Sequence, residues 1–346
     1  PLEFFKAPIG TGPFTLESIT EEKTRIIRNQ TYWKVDDFGN RLPFIEAVEA
    51  YYSLNQGPLF QEGKLDIIQK ISAENIKTLF GSLNETGATR TRPHRLFQQK
   101  DKNLNFILYN KNSPPFDLEE NRKLIHNAID RKILCETVLD GDGEPCKESF
   151  TPYSFFKPLS FPVQARQNLK KISHRALIKR GDRINFFLHN NSSELSRRLV
   201  NELIQQIEKN TGLIVRLVVG SDADFDRMWE KGEIHLVKYG WVADYPGPDS
   251  YLGIFYSESS FAKRNYFNSI NYDSLYLQTF RKSDTKTMLE AQYLCDQHLI
   301  NNTYVSPLFL QDFIFLININ WRDFHINSSG QIDFSTVFYK PVQKLN

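Results

Sequence analysis

From Arg183 to Tyr239 the apolar residues alternate between two spacings. Arg183-Ile184-Asn185-Phe186-Phe187-Leu188-His189, Leu213 to Val219 and Ile234 to Tyr239 are apolar runs of strand length. Between them lie two stretches with helical spacing. One starts at Ser193-Glu194 and runs to about Asn210, with Leu195, Leu199, Leu203, Ile204 and Ile207 on one face; the other is Asp222 to Lys231. Strand-helix-strand-helix-strand at this spacing predicts a parallel sheet with crossover helices, and hence an α/β fold class.

The same reading places strands at Phe14 to Ile19, Thr24 to Arg28, Ile45 to Tyr52, Leu65 to Ile68 and Leu104 to Asn110, and at Val305 to Leu310 and Phe313 to Ile317 near the end. It predicts helices over Gly57 to Gly63, Ser72 to Gly81, Leu118 to Leu139 behind an Asp117 cap, Leu169 to Leu177, Asp273 to Phe280 and Asp284 to Leu299. Asp130-Arg131 within the long helix reads as a local ion pair, and Tyr32-Trp33 as structural packing.

The third strand of the α/β repeat leads into Gly240-Trp241-Val242-Ala243-Asp244-Tyr245-Pro246-Gly247-Pro248-Asp249-Ser250-Tyr251-Leu252. Its Pro-Gly-Pro continues neither a strand nor a helix. A tryptophan, a carboxylate and a tyrosine thus arrive at the carboxyl end of a parallel strand, where open α/β sheets place ligands. The competing reading makes Trp241 core and Asp244 a cap.

Composition removes several classes of function. The chain has 346 residues, with 43 basic against 41 acidic side chains and a net charge of +2, so no nucleic-acid partner is expected. The cluster Arg90-Thr91-Arg92-Pro93-His94-Arg95 is short and reads as a solvated loop. The longest apolar runs, such as Phe313 to Ile317, are too short to span a membrane. Cys135, Cys146 and Cys295 are few and odd in number, and Cys135 with Cys146 could equally be bonded or free. No Cys/His cluster has metal-ligand spacing, and no cofactor or catalytic residue is expected: the serines lack an esterase elbow, and nothing marks Asp244 and Asp249 as a glycosidase pair.

Four stretches, in order, resemble the extracytoplasmic solute-binding proteins of ABC importers, specifically the oligopeptide, dipeptide and nickel-binding family (family 5). They are Ile9-Gly10-Thr11-Gly12-Pro13-Phe14 with Arg28-Asn29-Gln30-Thr31-Tyr32-Trp33; Ser113-Pro114-Pro115-Phe116-Asp117 with Arg122 and Ala128-Ile129-Asp130-Arg131; Gly143-Glu144-Pro145; and Gly240-Trp241-Val242-Ala243-Asp244-Tyr245. The resemblance implies a two-lobed periplasmic-binding-protein fold (type II, large peptide-binding cluster), its second lobe complete and its first partial, because the first signature comes much later in the family. The expected division is 1–110 for the partial first lobe, 111–304 for the second, and 305–346 for strands returning to the first, with hinge crossings near Tyr109-Asn110 and Pro307.

The resemblance further implies a short peptide as ligand. Asp244 would meet its amino group, the main chain of Gly240 to Val242 would bond its backbone, and Trp241 and Tyr245 would wall the cleft. The permease subunits of an ABC importer would be the partner, with the front segment of the first lobe as another. The location would be periplasmic, or that of a cell-surface lipoprotein. The chain opens with Pro1-Leu2-Glu3-Phe4-Phe5-Lys6, without the features of a signal peptide. Alternatives are the sensing domain of a cytoplasmic regulator, or a binding protein for a nickel chelate or an oligosaccharide.

Overall fold

The structure, a computed structural model, describes residues 10–52, 56–69, 71, 76, 94–146, 148–159, 177–327 and 331–341, without the side chains of 99–102. Residues 1–99 with 313–346 form one compact unit, and residues 100–312 a second. The lobe limits expected at 110/111 and 304/305 fall inside this second unit. The difference comes from two strands longer than the sequence pattern suggests. β5 (His94–Tyr109) and β10 (Val305–Asn318) each pass from one unit into the other without a break. Gln311 and Asp312, which look like a strand break in sequence, sit in mid-strand.

The first unit opens with a three-stranded antiparallel sheet: β1 (Phe14–Ile19), β2 (Lys23–Arg28) and β3 (Ala47–Tyr51), in that order. Period-two alternation gathers charge on one face. There Glu49 accepts from Lys23 (2.9 Å), Arg25 (2.6 Å) and the Tyr51 hydroxyl (2.6 Å). Those bonds, that of Tyr51 foremost, hold the Glu49 carboxyl down at about 2. Helix α1 (Gln56–Gln61) and β4 (Ile67–Ile68) follow, and β4 pairs antiparallel with β10 at Ile317 and Leu316. A small core joins Phe60, Ile68, Ile71, Ile76, Ile314 and Leu316. Trp33 is 74% exposed, so it does not pack as the sequence reading expects. The helix expected over Ser72 to Gly81 lies almost wholly outside the described residues. Residues 90–93 of the basic cluster and residues 169–176 of another expected helix lie outside them too.

The second unit holds the α/β repeat as the periodicity predicts it: β7 (Arg183–His189), α4 (Glu194–Thr211), β8 (Ile214–Gly220), α5 (Asp222–Glu230) and β9 (Leu236–Val242). β7 lies between β9 and β8 and is parallel to both; β9 pairs antiparallel with β5, and β5 neighbours β10. The short β6 (Glu144–Pro145) lies on β10. Local signals fix the helix ends. The Ser193 hydroxyl accepts from Ser196 N–H, Gly212 closes α4 at φ +73°, and Ser221 with Asp224 forms a capping box for α5. Alternation splits the apolar residues between two layers. Phe106, Leu108, Phe187, Phe225, Trp229 and Val237 share one core, while Ile107, Tyr109, Phe186, Ile125, Leu203 and Leu236 share the other.

The helix expected from Leu118 to Leu139 is two. α2 (Glu119–Ala128) ends where Ile129 turns extended, and a second short helix, α3 (Arg131–Ile133), runs on into a wider turn over Leu134–Val138. Asp130 does not pair with Arg131. Its carboxylate caps α3 by accepting from the N–H groups of Lys132 and Ile133, while Arg131 Nε donates to Pro307 O (2.6 Å). Asp117 does not cap α2 either; Leu118 holds that position. The motif arginine Arg122 is 4% exposed and donates to the carbonyls of Phe116, Asn302 and Thr303, at 2.6 to 2.9 Å. Asn302 and Thr303 follow the helix Thr285–Asn301, so the cation sits at the negative end of that helix. Just beyond, Ser306 on β10 bonds both the Tyr109 hydroxyl (2.5 Å) and His126 Nδ1 (2.8 Å), a buried link from α2 to β5 and β10.

Candidate functional site

β9 runs through Gly240-Trp241-Val242, three residues beyond the end expected at Tyr239, because β5 pairs with it as far as Asn103↔Val242. Its other side is different. The pairing with β7 covers only Leu236 and Val237, and among the described residues no strand faces Lys238 to Val242 there. Asn110 N–H donates to His235 O (3.0 Å), which sets the phase of the β5 ladder. Val237, Tyr239 and Trp241 therefore turn their main-chain groups toward β5; the parallel pairing of Phe187 with Val237 takes up the Lys238 N–H, and the Lys238 C=O with the main chain of Gly240 and Val242 faces the open side. Among the described residues, the groups of Gly240 and Val242 on this edge meet no strand partner.

The segment beyond the edge is fastened down by its own side chains. Trp241 Nε1 donates to Ser250 O (2.9 Å), and the main-chain N–H of Asp244 donates to the Ser250 hydroxyl (2.8 Å). Those two bonds fold the loop onto α6 (Asp249–Leu252), whose Tyr251 and Leu252 are fully buried. A Cβ at Gly247 would lie 2.6 Å from Asp249 Oδ1 and 3.3 Å from the Tyr245 ring, so a side chain there would push the Asp249 carboxylate aside. The Tyr245 hydroxyl donates to Asp249 Oδ2 (2.6 Å), and burial together with that carboxylate raises its pKa. Asp244 is left at the end of the open edge with its side chain exposed. Trp241 packs edge-on to Phe261 on α7 (Ser260–Arg264), and Tyr239 donates to Asn265 Oδ1 (2.9 Å).

One residue of this strand escaped the sequence reading. Lys238 shares a face of β9 with Leu236, Gly240 and Val242, and among the described residues its ammonium has neither a hydrogen bond nor an ion pair. Burial alone pushes it down to about 8. A lysine inside an apolar strand was the available signal, because such a position carries a charge only at a cost. No histidine or cysteine lies between Leu236 and Leu252. Among the described residues no group of three His, Cys, Asp or Glu could hold a metal ion, and no helix is long and apolar enough to cross a membrane.

Residues 1–263 match the profile of bacterial extracellular solute-binding proteins, family 5 (middle region). The chain belongs to that family. Among family 5 relatives, Heme-binding protein A of Haemophilus influenzae is 25% identical over 279 residues, 78% of this chain and 48% of that protein. Di/tripeptide-binding protein 3 of Pseudomonas aeruginosa is 24% identical over 99% of this chain and 63% of its own length. The crystal structure of a dipeptide-binding protein from Pseudoalteromonas sp. SM9913, in complex with Met-Leu, superposes with a TM-score of 0.77 at 17% identity, covering 96% of this chain and 65% of that one. The chain thus spans about half to two thirds of these relatives. The fold is the two-lobed α/β architecture that the resemblance implies, and the family is an extracellular one.

Proposed function

We propose that this chain is the peptide-binding part of an ABC importer's solute-binding protein, which hands its ligand to a membrane permease and performs no catalysis. The observation that carries the reading is the open edge of β9 from Lys238 to Val242, ending at the exposed Asp244. An extended peptide laid on that edge would bond the main chain of Lys238, Gly240 and Val242, which is indifferent to side chains. Asp244 would accept the ligand's ammonium, and Lys238 would offer a cation to a free carboxylate. The relatives named for di- and tripeptides, and the structure holding Met-Leu, support this ligand class.

Calorimetry with Met-Leu and N-acetyl-Met-Leu tests it. A charge-assisted bond contributes about 1.5–3 kcal/mol, so Asp244→Ala should weaken Met-Leu about ten- to a hundredfold and leave the acetylated peptide unchanged. Equal losses for both would end the amine role. The similarity to Heme-binding protein A gives a second ligand class, and hemin in the same titration decides between them.

A further inference from the structure

Gly240 leaves a notch in one face of β9, and two amide oxygens overhang it. In the pairing with β5, Asn105 lies opposite Gly240, Asn103 opposite Val242 and Ile107 opposite Lys238. Residues directly opposite project from the same face of a sheet. A Cβ at Gly240 would stand 3.2 Å from Asn103 Oδ1 and 3.7 Å from Asn105 Oδ1, so both oxygens reach from β5 over the bare main chain of β9. Asn105 is 2% exposed. Its amide Nδ2 donates to Asn103 O (3.3 Å), and among the described residues no donor meets either side-chain oxygen. A buried amide oxygen is costly to leave without a donor, so a ligand that supplies one completes the site.

Strand alternation decides which ligand atoms come here. A peptide on the open side lies about 5 Å from β9, and its residue opposite Gly240 turns its side chain to this same face. With no Cβ in the way, that side chain leans across Gly240 toward the two oxygens. Charge narrows the choice. Lys238 stands on the same face two residues earlier and opposes a second cation there, while two acceptor oxygens oppose a carboxylate. A neutral N–H donor meets both conditions, and a primary carboxamide carries two such hydrogens.

We propose that the notch selects peptides with glutamine or asparagine at the residue lying opposite Gly240, and that Asn103 and Asn105 determine this specificity. The inference rests on the β9 edge being a peptide site, and it adds side-chain choice to a main-chain contact that has none.

Calorimetry on the full chain with three pairs of tripeptides tests it: Gln-Ala-Ala against Met-Ala-Ala, Ala-Gln-Ala against Ala-Met-Ala, and Ala-Ala-Gln against Ala-Ala-Met. Methionine matches the length of glutamine and lacks the donor. At one position glutamine should bind about two- to tenfold more tightly than methionine. At the adjoining position, whose side chain points to the other face, it should bring no gain. Asn105→Leu should erase the preference. Asn103→Ala, at a half-buried position, should reduce it, and this second variant still reads the notch where the first fails to fold. Asp244→Ala should weaken all six peptides and keep the glutamine-to-methionine ratio. Peptides that bind with this dependence on Asp244 but show no preference, or an equal one at all three positions, would overturn the notch and leave the peptide site standing. A preference unchanged in Asn105→Leu would overturn it too. No binding by any of the six would remove both the site and the notch.

Discussion

Lys238→Met should strengthen the fold and weaken the site. The Lys238 ammonium is lowered from 10.5 to about 8 by burial, and among the described residues no partner offsets it. At about 1.36 kcal/mol for each pH unit, that difference corresponds to about 3 kcal/mol. Partial exposure of the side chain makes this an upper figure, so about 1–3 kcal/mol is expected. Because the folded-state pKa lies below the unfolded one, the whole penalty is present below pH 8 and fades between pH 8 and 10.5. Wild-type stability should therefore climb through that window relative to the variant, which lacks the group. Urea unfolding at several pH values reads both effects, and the variant should be the more stable at pH 7. Calorimetry supplies the other half: the variant should lose about tenfold or more in affinity for Met-Leu and nothing for its carboxamide. Wild-type binding at pH 9 should take up protons, as a ligand carboxylate restores the ammonium. A variant less stable at pH 7, with an unchanged pH slope, would refute the account of an unpartnered buried charge.

Other consequences follow from buried groups. Asp296 is fully buried, accepts from Thr151 N–H (2.6 Å) and Ser149 (3.0 Å), and is raised to about 6 by desolvation. Its folded-state pKa exceeds 3.8, so stability should fall as pH rises from about 4 to 6, by up to about 3 kcal/mol. Asp296→Asn should flatten that slope by one proton in acid-to-neutral unfolding series. Arg122→Met should cost about 3 kcal/mol or more in urea unfolding, since it strips the donor from the carbonyls of Phe116, Asn302 and Thr303. Cys135, Cys146 and Cys295 are buried free thiols, and burial raises the pKa of each. All three should resist a thiol reagent in native protein and react together on unfolding; rapid reaction of any one in native protein would contradict that burial.

Local chemistry determined much of this protein. Alternation from Arg183 to His189, the helical stripe of Leu199, Leu203 and Ile207, and the Ser193 and Ser221 caps act within a few residues, so the sequence alone specifies the α/β repeat. The Trp241-to-Asp244 segment is legible for the same reason, as is its place at a strand's carboxyl end. What the sequence by itself did not determine depends on partners far along the chain. β5 and β10 run unbroken because strands distant in sequence pair with them, which outweighs the local polarity of Gln311 and Asp312. β9 extends to Val242 because Asn103 lies opposite, and its other edge is open because β7 stops pairing at Val237. Asp130 reads as half of an ion pair until the turn at Ile129 makes it a cap. Lys238 is an ordinary basic residue in the sequence; only tertiary burial, which depends on what packs around it, makes it a lysine near 8.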